Sequence, residues 1–399
     1  MERKTLGDVC DFYRGLTYSK KDEVTYSGNV VLRANNIDLS TKCLNFSELK
    51  YLNSNLVIPK DKKLSKNTIF ICMSSGSKSH LGKVAFVDKD YAYAFGGFMG
   101  LIKPYCEIII PKYLFYLMIT SSYKEFVNKL SNGININNIK FSDLKSFTFN
   151  LPSLEEQQRI VNILDKAEEI RIKKKLANEK LDEFLKSTFI DMFGDPMSNN
   201  INIKKEKLGK YLVYVQNGIS RRRKIPQNIG NLVFRIKEIR ENYIDYSDIN
   251  RIPLNEKEKD KYKINNNELL FIRVNGNKDY VGRNAVFRGY IEDAYFNDHI
   301  MRVKIEERYM NPIYLSRFLN MSFGKEEIRK YIKTSAGQYT INQQGLSSVE
   351  LTIPPIEQQN QFAQIVQKVE AQKEKNQKVI EQMDNLFSSL MQQAFNSSL

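Results

Sequence analysis

Leu151-Pro152-Ser153-Leu154-Glu155-Glu156-Gln157-Gln158-Arg159-Ile160 and Ile353-Pro354-Pro355-Ile356-Glu357-Gln358-Gln359-Asn360-Gln361-Phe362 align without a gap at an offset of 202 residues. The same offset places Ile163 on Ile365, Lys166 on Lys368, Glu168 on Glu370, Asp182 on Asp384, Ser187 on Ser389 and Phe193 on Phe395. Each stretch opens a long helix. In the first copy Ser153 stands where it can cap the helix, with Glu156 placed to close a capping box. In the second, Pro354-Pro355 fixes φ ahead of the first turn without offering a side-chain cap. Apolar residues then recur at heptad spacing: Ile160, Ile163, Ala167, Ile170, Ala177, Leu181 and Phe184 in one copy, and Phe362, Ile365, Val369, Val379, Met383, Leu386 and Leu390 in the other. Such a seam over about five heptads predicts a coiled coil. At about 1.5 Å per residue, each helix should be close to 60 Å long. The first should stop near Phe193-Gly194-Asp195-Pro196, where Gly and Pro punctuate the chain.

Outward from these helices the repeat continues weakly. Leu6-Gly7 matches Leu208-Gly209, Gly82-Lys83-Val84-Ala85 matches Gly282-Arg283-Asn284-Ala285, and Ile134-Asn135 resembles Ile341-Asn342. The order is therefore lobe, helix, lobe, helix: residues 1–150, 151–195, 196–352 and 353–399. Within the lobes, Thr68-Ile69-Phe70-Ile71, Val84-Ala85-Phe86-Val87 and Glu268-Leu269-Leu270-Phe271-Ile272 read as strands bounded by Gly, Asn and Ser. Helices are expected near Lys112–Leu130 and Pro312–Ile332. The fold class is α+β: two domains of mostly antiparallel sheet plus helices, separated by two long helices that form an antiparallel coiled coil, with a pseudo-twofold internal repeat. Lys174 and Asn376 share a seam position under the repeat. Both are expected near its axis, where polar residues fix register.

Charge follows the same map. The chain carries 61 Lys+Arg against 46 Asp+Glu, a formal net charge of +15. Residues 1–150 hold 21 Lys+Arg and 13 Asp+Glu, and residues 196–352 hold 28 and 18; the helical segments hold 8 and 10, then 4 and 5. The whole excess thus lies in the lobes, which suggests two contacts with one polyanion. Arg and Asn can pair bidentately with base edges, while Lys more often neutralises phosphate. The candidate DNA contacts are Lys20, Lys21, Ser75, Lys78 and Asn132 in the first lobe, and Arg221, Arg222, Arg223, Lys224, Arg273, Asn275, Lys278 and Gln338 in the second.

A proline-led L-P-x-L-E-x-Q start to a long helix, present twice and each time after a variable α+β lobe, resembles the specificity subunits of type I restriction–modification systems. The Phe193-Gly194-Asp195-Pro196 exit is similar to that family as well. The resemblance spans the chain. It implies two target-recognition domains, each reading half of a bipartite, asymmetric sequence on double-stranded DNA, with the helices fixing their separation. It also implies two methyltransferase subunits and restriction (translocase) subunits as partners. S-adenosylmethionine, ATP and Mg²⁺ would belong to those partners, leaving this chain without a cofactor, a metal or a catalytic site.

The residues themselves weigh against enzymatic readings. Gly76-Ser77-Lys78-Ser79-His80-Leu81-Gly82-Lys83 superficially suggests a phosphate loop, but its glycine spacing is one too long and Val84 stands where Ser or Thr would hold Mg²⁺. No Asn-Pro-Pro-aromatic motif and no G-x-G-x-x-G occur. His80 and His299 lie in different lobes, and Cys10, Cys43, Cys72 and Cys106 show no C-x-x-C spacing, so metal and nucleophile sites are not expected. The cysteines are expected to be reduced and mostly packed. The start of the chain shows no apolar leader, and the run Ile108–Ile119 is interrupted by Pro111 and Lys112, so a cytoplasmic, membrane-free protein is expected. Two rivals remain: a coiled-coil scaffold that binds protein, disfavoured by the confinement of charge to the lobes, and the targeting half of a stand-alone restriction or methylation enzyme, disfavoured by the missing motifs.

Overall fold

The computed structural model describes residues 2–39, 41–131, 138–195, 205–220, 229–335 and 337–396 of the 399, leaving aside the side chains of Lys78, Ser131, Ser335 and Asn396. It divides into two compact units, 1–176 with 377–399, and 177–376. Each unit contains one lobe and a part of each long helix.

In the first unit, strand Glu2–Thr5 pairs antiparallel with Thr148–Leu151, so the lobe closes where the helix begins. Its main sheet runs Cys10–Arg14, Met99–Pro104, Thr68–Cys72, Val84–Val87, all antiparallel. A second sheet, Glu23–Val24, Lys50–Leu52, Asn29–Leu32, Ala94–Phe95, contains one parallel pair, Asn29–Leu32 with Ala94–Phe95. The period-2 alternation of a strand explains how one sheet serves two cores. Ile69 and Ile71 face the helices Pro111–Leu117 and Ser121–Ser131, whereas Phe70 and Cys72 face the second sheet.

The second unit repeats the plan. Lys205–Lys207 pairs with Glu350–Thr352, and the four-stranded sheet runs Leu212–Asn217, Ile300–Ile305, Leu269–Ile272, Asn284–Val286. Leu269 and Phe271 face one core, Leu270 and Ile272 the other. Asn231–Phe234 pairs in parallel with Ala294–Phe296. A further three-stranded sheet runs Val274–Asn275, Gln338–Thr340, Lys333–Ser335; among the described residues of the first lobe, the bridge Ser74 with Asn138 stands at the corresponding place.

Each helix expected after these strands is two helices. Pro111–Leu117 precedes Ser121–Ser131, and Pro312–Asn320 precedes Ser322–Arg329. The first break is held by Thr120, whose Oγ1 accepts from the Tyr123 N–H at 3.2 Å. Gly82 and Gly282 sit beneath the second helix of each pair at φ +68° and +88°; a Cβ there would lie 2.8 Å from Val127 and 2.7 Å from Ile328. This close approach explains why the glycine survives in both copies of an otherwise divergent segment.

The long helices are Leu154–Phe193 and Ile356–Asn396. The first ends at Phe193, and Gly194 follows at φ +75°. Ser153 Oγ accepts from the Glu156 N–H at 3.3 Å, but no capping box forms, because the Glu156 carboxylate forks onto Arg159 at 2.7 and 2.8 Å. The seam differs from its expected phase. Ile160, Phe362 and Val369 are buried, and Ile170, Leu181, Ile365, Val379 and Met383 are half-buried. Ile163, Phe184 and Leu386 point outward, at 36%, 50% and 43% exposure, while their neighbours Leu164, Leu185 and Phe387 face inward. Adjacent residues on a helix are about 100° apart, so only one of each apolar pair can enter the seam. The choice is fixed at the helix start. Gln157 is fully buried; its Oε1 accepts from the Ile110 N–H at 2.8 Å and its Nε2 donates to the carbonyls of Pro152 (2.9 Å) and Ile108 (3.2 Å). Gln359 does the same with the Asn311 N–H (2.8 Å) and the carbonyls of Pro354 (2.7 Å) and Tyr309 (3.1 Å). These clamps set helix rotation against the lobe, turning Leu164 inward and Ile163 outward in the first copy, and burying Val366 with Ile365 at the edge of the same core in the second.

At the polar position of the second helix Asn376 is buried as a seam residue, and its Nδ2 donates to Asn178 Oδ1 at 2.8 Å. Cys10 and Cys72 are buried as expected, but Cys43 and Cys106 are exposed.

Candidate nucleic-acid interface

The turn Gly15-Leu16 is pressed against Gly96: the Leu16 N–H donates to the Phe95 carbonyl at 2.7 Å, and the Gly96 N–H to Leu32 at 2.9 Å. Gly218-Ile219 meets Asn297 identically, with Ile219 N–H to Phe296 at 2.9 Å and Asn297 N–H to Phe234 at 3.0 Å. A Cβ on Gly15 would sit 2.0 Å from the Gly96 carbonyl oxygen, and one on Gly218 2.3 Å from that of Asn297. Next to this turn, the Met73 N–H donates to Phe98 and the Arg273 N–H to His299, both at 2.9 Å, while Ile139 and Ile341 close the same loop from the other side. These bonds match the lobes position by position.

On this shared frame the side chains differ. Arg14 corresponds to Asn217, Met73 to Arg273, Gly97-Phe98 to Asp298-His299, and Lys140 to Asn342. In the first lobe the result is a cleft of about 1000 Å³ lined by the cations Arg14, Lys20, Arg33 and Lys140 and by the acid Glu23, which Lys50 holds at 2.5 Å. Phe98 stands at its rim, 74% exposed. Burial pushes the Tyr18 hydroxyl up, and the nearby Arg33 charge offsets part of that. A concave, cationic, aromatic-edged surface of this kind suits phosphate and base edges.

Of the residues expected from sequence, Lys20 and Ser75 line this cleft. Lys21 is exposed in the same short turn, Lys20–Asp22. Lys78 belongs to the turn Lys78–His80, ahead of a strand and not a helix. Asn132 and the run Arg221, Arg222, Arg223, Lys224 lie outside the described residues. Arg273 is partly spent on structure: its Nη1 donates to the Asp298 carbonyl at 3.0 Å, and its Nε is buried without a partner. Asn275 Oδ1 accepts from the Asn277 N–H at 2.8 Å, an Asx turn that leaves only its amide free to donate. Lys278 and Gln338 are exposed. Sequence reading missed Arg14, Arg33, Lys140 and Phe98. Their only signal is structural equivalence with the second lobe, across offsets that drift from 203 at Gly15 to 200 at Gly82.

The family model described as "Type I restriction modification DNA specificity domain" matches residues 1–182 and 191–383. The chain is 28% identical to the StySPI specificity subunit of Salmonella potsdam and 26% to the EcoKI specificity subunit of Escherichia coli K12, in each case over 99% of this chain and 88% of the relative. Among solved structures, the type I S subunit of M. genitalium superimposes with a TM-score of 0.59 at 14% identity, covering 99% of this chain and 96% of that one. A second, solved in work on assembly and conformational transition of a type I system, gives 0.55 at 17% identity over 98% and 97%. The duplicated frame, the clamped helices and these matches agree: the chain belongs to the type I restriction–modification DNA specificity family.

Proposed function

We propose that each lobe reads its own half of a bipartite, asymmetric sequence on double-stranded DNA, and that the chain directs two adenine-methylating subunits and ATP-driven restriction subunits to that site. S-adenosylmethionine, ATP and Mg²⁺ are then used by those partners, and this chain contributes recognition without a reaction of its own. The observation that carries the reading is the matched frame bearing unmatched side chains. Two lobes with identical backbone bonds and different groups at Arg14/Asn217, Met73/Arg273 and Phe98/His299 call for two different half-sites. Each base pair read is worth about 1–3 kcal/mol, so coupling two readers multiplies selectivity. The basic excess of both lobes supports a polyanionic target.

Methylation-sensitive sequencing of host DNA tests this directly. The expected result is a methylated motif with two unlike halves and a fixed unread gap. A palindromic motif, or salt-insensitive DNA binding by the partner-loaded complex, would overturn it. Methyl transfer by the purified chain alone would refute the absence of catalysis.

A further inference from the structure

Arg33 and Arg235 occupy the same place in the two lobes. Each follows the strand that pairs in parallel with the neighbouring one, Asn29–Leu32 and Asn231–Phe234. Each carbonyl accepts from the N–H three residues on, Asn36 at 3.0 Å and Glu238 at 3.1 Å. Each backbone N–H is capped by the side chain of that same residue, Asn36 Oδ1 at 2.8 Å and Glu238 Oε2 at 2.7 Å. The caps differ in what they have left over. A carboxylate has a second oxygen, and Glu238 Oε1 takes Arg235 Nη2 at 2.9 Å and Nε at 3.3 Å. An amide has none: the Asn36 Nδ2 donates to the carbonyls of Asn45 (2.8 Å) and Glu48 (2.9 Å). Arg33 therefore makes no side-chain hydrogen bond or ion pair among the described residues, and its Nε is buried without a partner. It lines the cationic cleft.

We propose that Arg33 is a recognition residue of the first lobe, presenting its planar fork to a pair of acceptors on duplex DNA, and that Arg235 is withheld from that role by Glu238. The proposal rests on the DNA reading above and adds which side chain acts and why its twin does not. A guanidinium is suited to the task because its donors match two acceptors at once, either O6 and N7 of guanine or two phosphate oxygens.

The experiment uses the full complex with its methylating subunits and a duplex bearing the motif found by sequencing the host DNA. Arg33→Gln should weaken binding roughly 5- to 150-fold, the range for one lost bidentate contact. Arg33→Lys keeps the charge and the stem but not the fork, so it should recover only part of that loss; it also serves if the glutamine variant folds poorly. Arg235→Gln should leave binding within about twofold, on the order of 0.4 kcal/mol, while lowering the melting temperature. A loss confined to one base pair marks a guanine edge; a loss uniform over sequences, with the salt slope reduced by about one, marks a phosphate. Either supports the proposal. Wild-type binding by Arg33→Gln, or an equal loss in Arg235→Gln, overturns it while the DNA reading stands. If the wild-type complex itself shows no salt-dependent binding, the DNA reading falls and the proposal with it.

Discussion

Behind the matched strands Cys10–Arg14 and Leu212–Asn217, the two lobes fill the same place with opposite chemistry. At the positions that Arg302 and Glu268 hold in the second lobe, the first has Leu101 and Thr68. The second has Arg302 beside Glu268, both almost fully buried, with the guanidinium donating to Gln216 and to the carbonyls of Lys261 and Lys263, and the Tyr214 hydroxyl donating to Glu268. Arg302 also lies over the rings of Tyr214 (5.1 Å) and Phe296 (5.6 Å). The frame tolerates either solution because its backbone bonds do not involve these side chains. What the second lobe gains is a network that ties the sheet to the segment near Lys261–Lys263; what it risks is a stranded charge if one member is lost.

That risk gives the largest expected effect. Arg302→Leu, which copies the first lobe, should cost about 3–5 kcal/mol in urea unfolding because the buried Glu268 carboxylate loses its counter-charge and keeps only neutral donors, the Tyr214 hydroxyl and the Asn265 N–H. Adding Glu268→Thr should recover most of the loss; a double variant as unstable as the single one would show that the lobes are not interchangeable here. Next come the clamps. Gln157→Leu and Gln359→Leu each orphan buried backbone groups, at about 2 kcal/mol. Nearly equal losses would confirm equivalent docking of helix to lobe, and a difference above about 1 kcal/mol would break the comparison. Third, Asn178→Leu with Asn376→Leu should raise stability by about 1 kcal/mol, since a polar seam pair trades stability for register; a lower melting temperature would count against this.

The smallest effect distinguishes the lobes by chemistry. All four cysteines belong to the first lobe. Cys43 and Cys106 should react promptly with a thiol reagent in the native protein, and Cys10 and Cys72 only on unfolding. Burial pushes the Cys72 thiol up to about 11 from 9.0, and Cys10 higher still. The folded state thus favours the protonated thiol. Its contribution is complete below pH 9 and is lost as pH rises from 9 towards 11. Protection of Cys72 followed against pH should fall over that range; protection unchanged to pH 11 would contradict it.

Much of this architecture was legible in the sequence because it is periodic. The strands around Phe70 and Phe271 and the duplicated helices announce themselves by alternation and by repeat. The seam phase was not legible, since Ile163-Leu164, Phe184-Leu185 and Leu386-Phe387 offer two apolar neighbours each, and a buried glutamine chooses between them. The helix breaks at Met118–Thr120 and at Met321 carry no Gly or Pro. Of the interface, Lys20 and Ser75 could be anticipated from charge and loop composition. Arg33 could not, because its freedom depends on Asn36 standing where the other lobe has Glu238, an equivalence visible only through shared backbone bonds.

The composition of the two units has one more consequence. The first unit is completed by residues 377–399, and the second contains 177–193, which the repeat offset of 202 places on 379–395 of that piece. A chain cut after Gly194 would therefore carry one lobe together with a helical end equivalent to the piece its own unit lacks. Two such half-chains could complete each other by reciprocal exchange. The product would be a homodimer with twin readers, and its DNA target would become an inverted repeat.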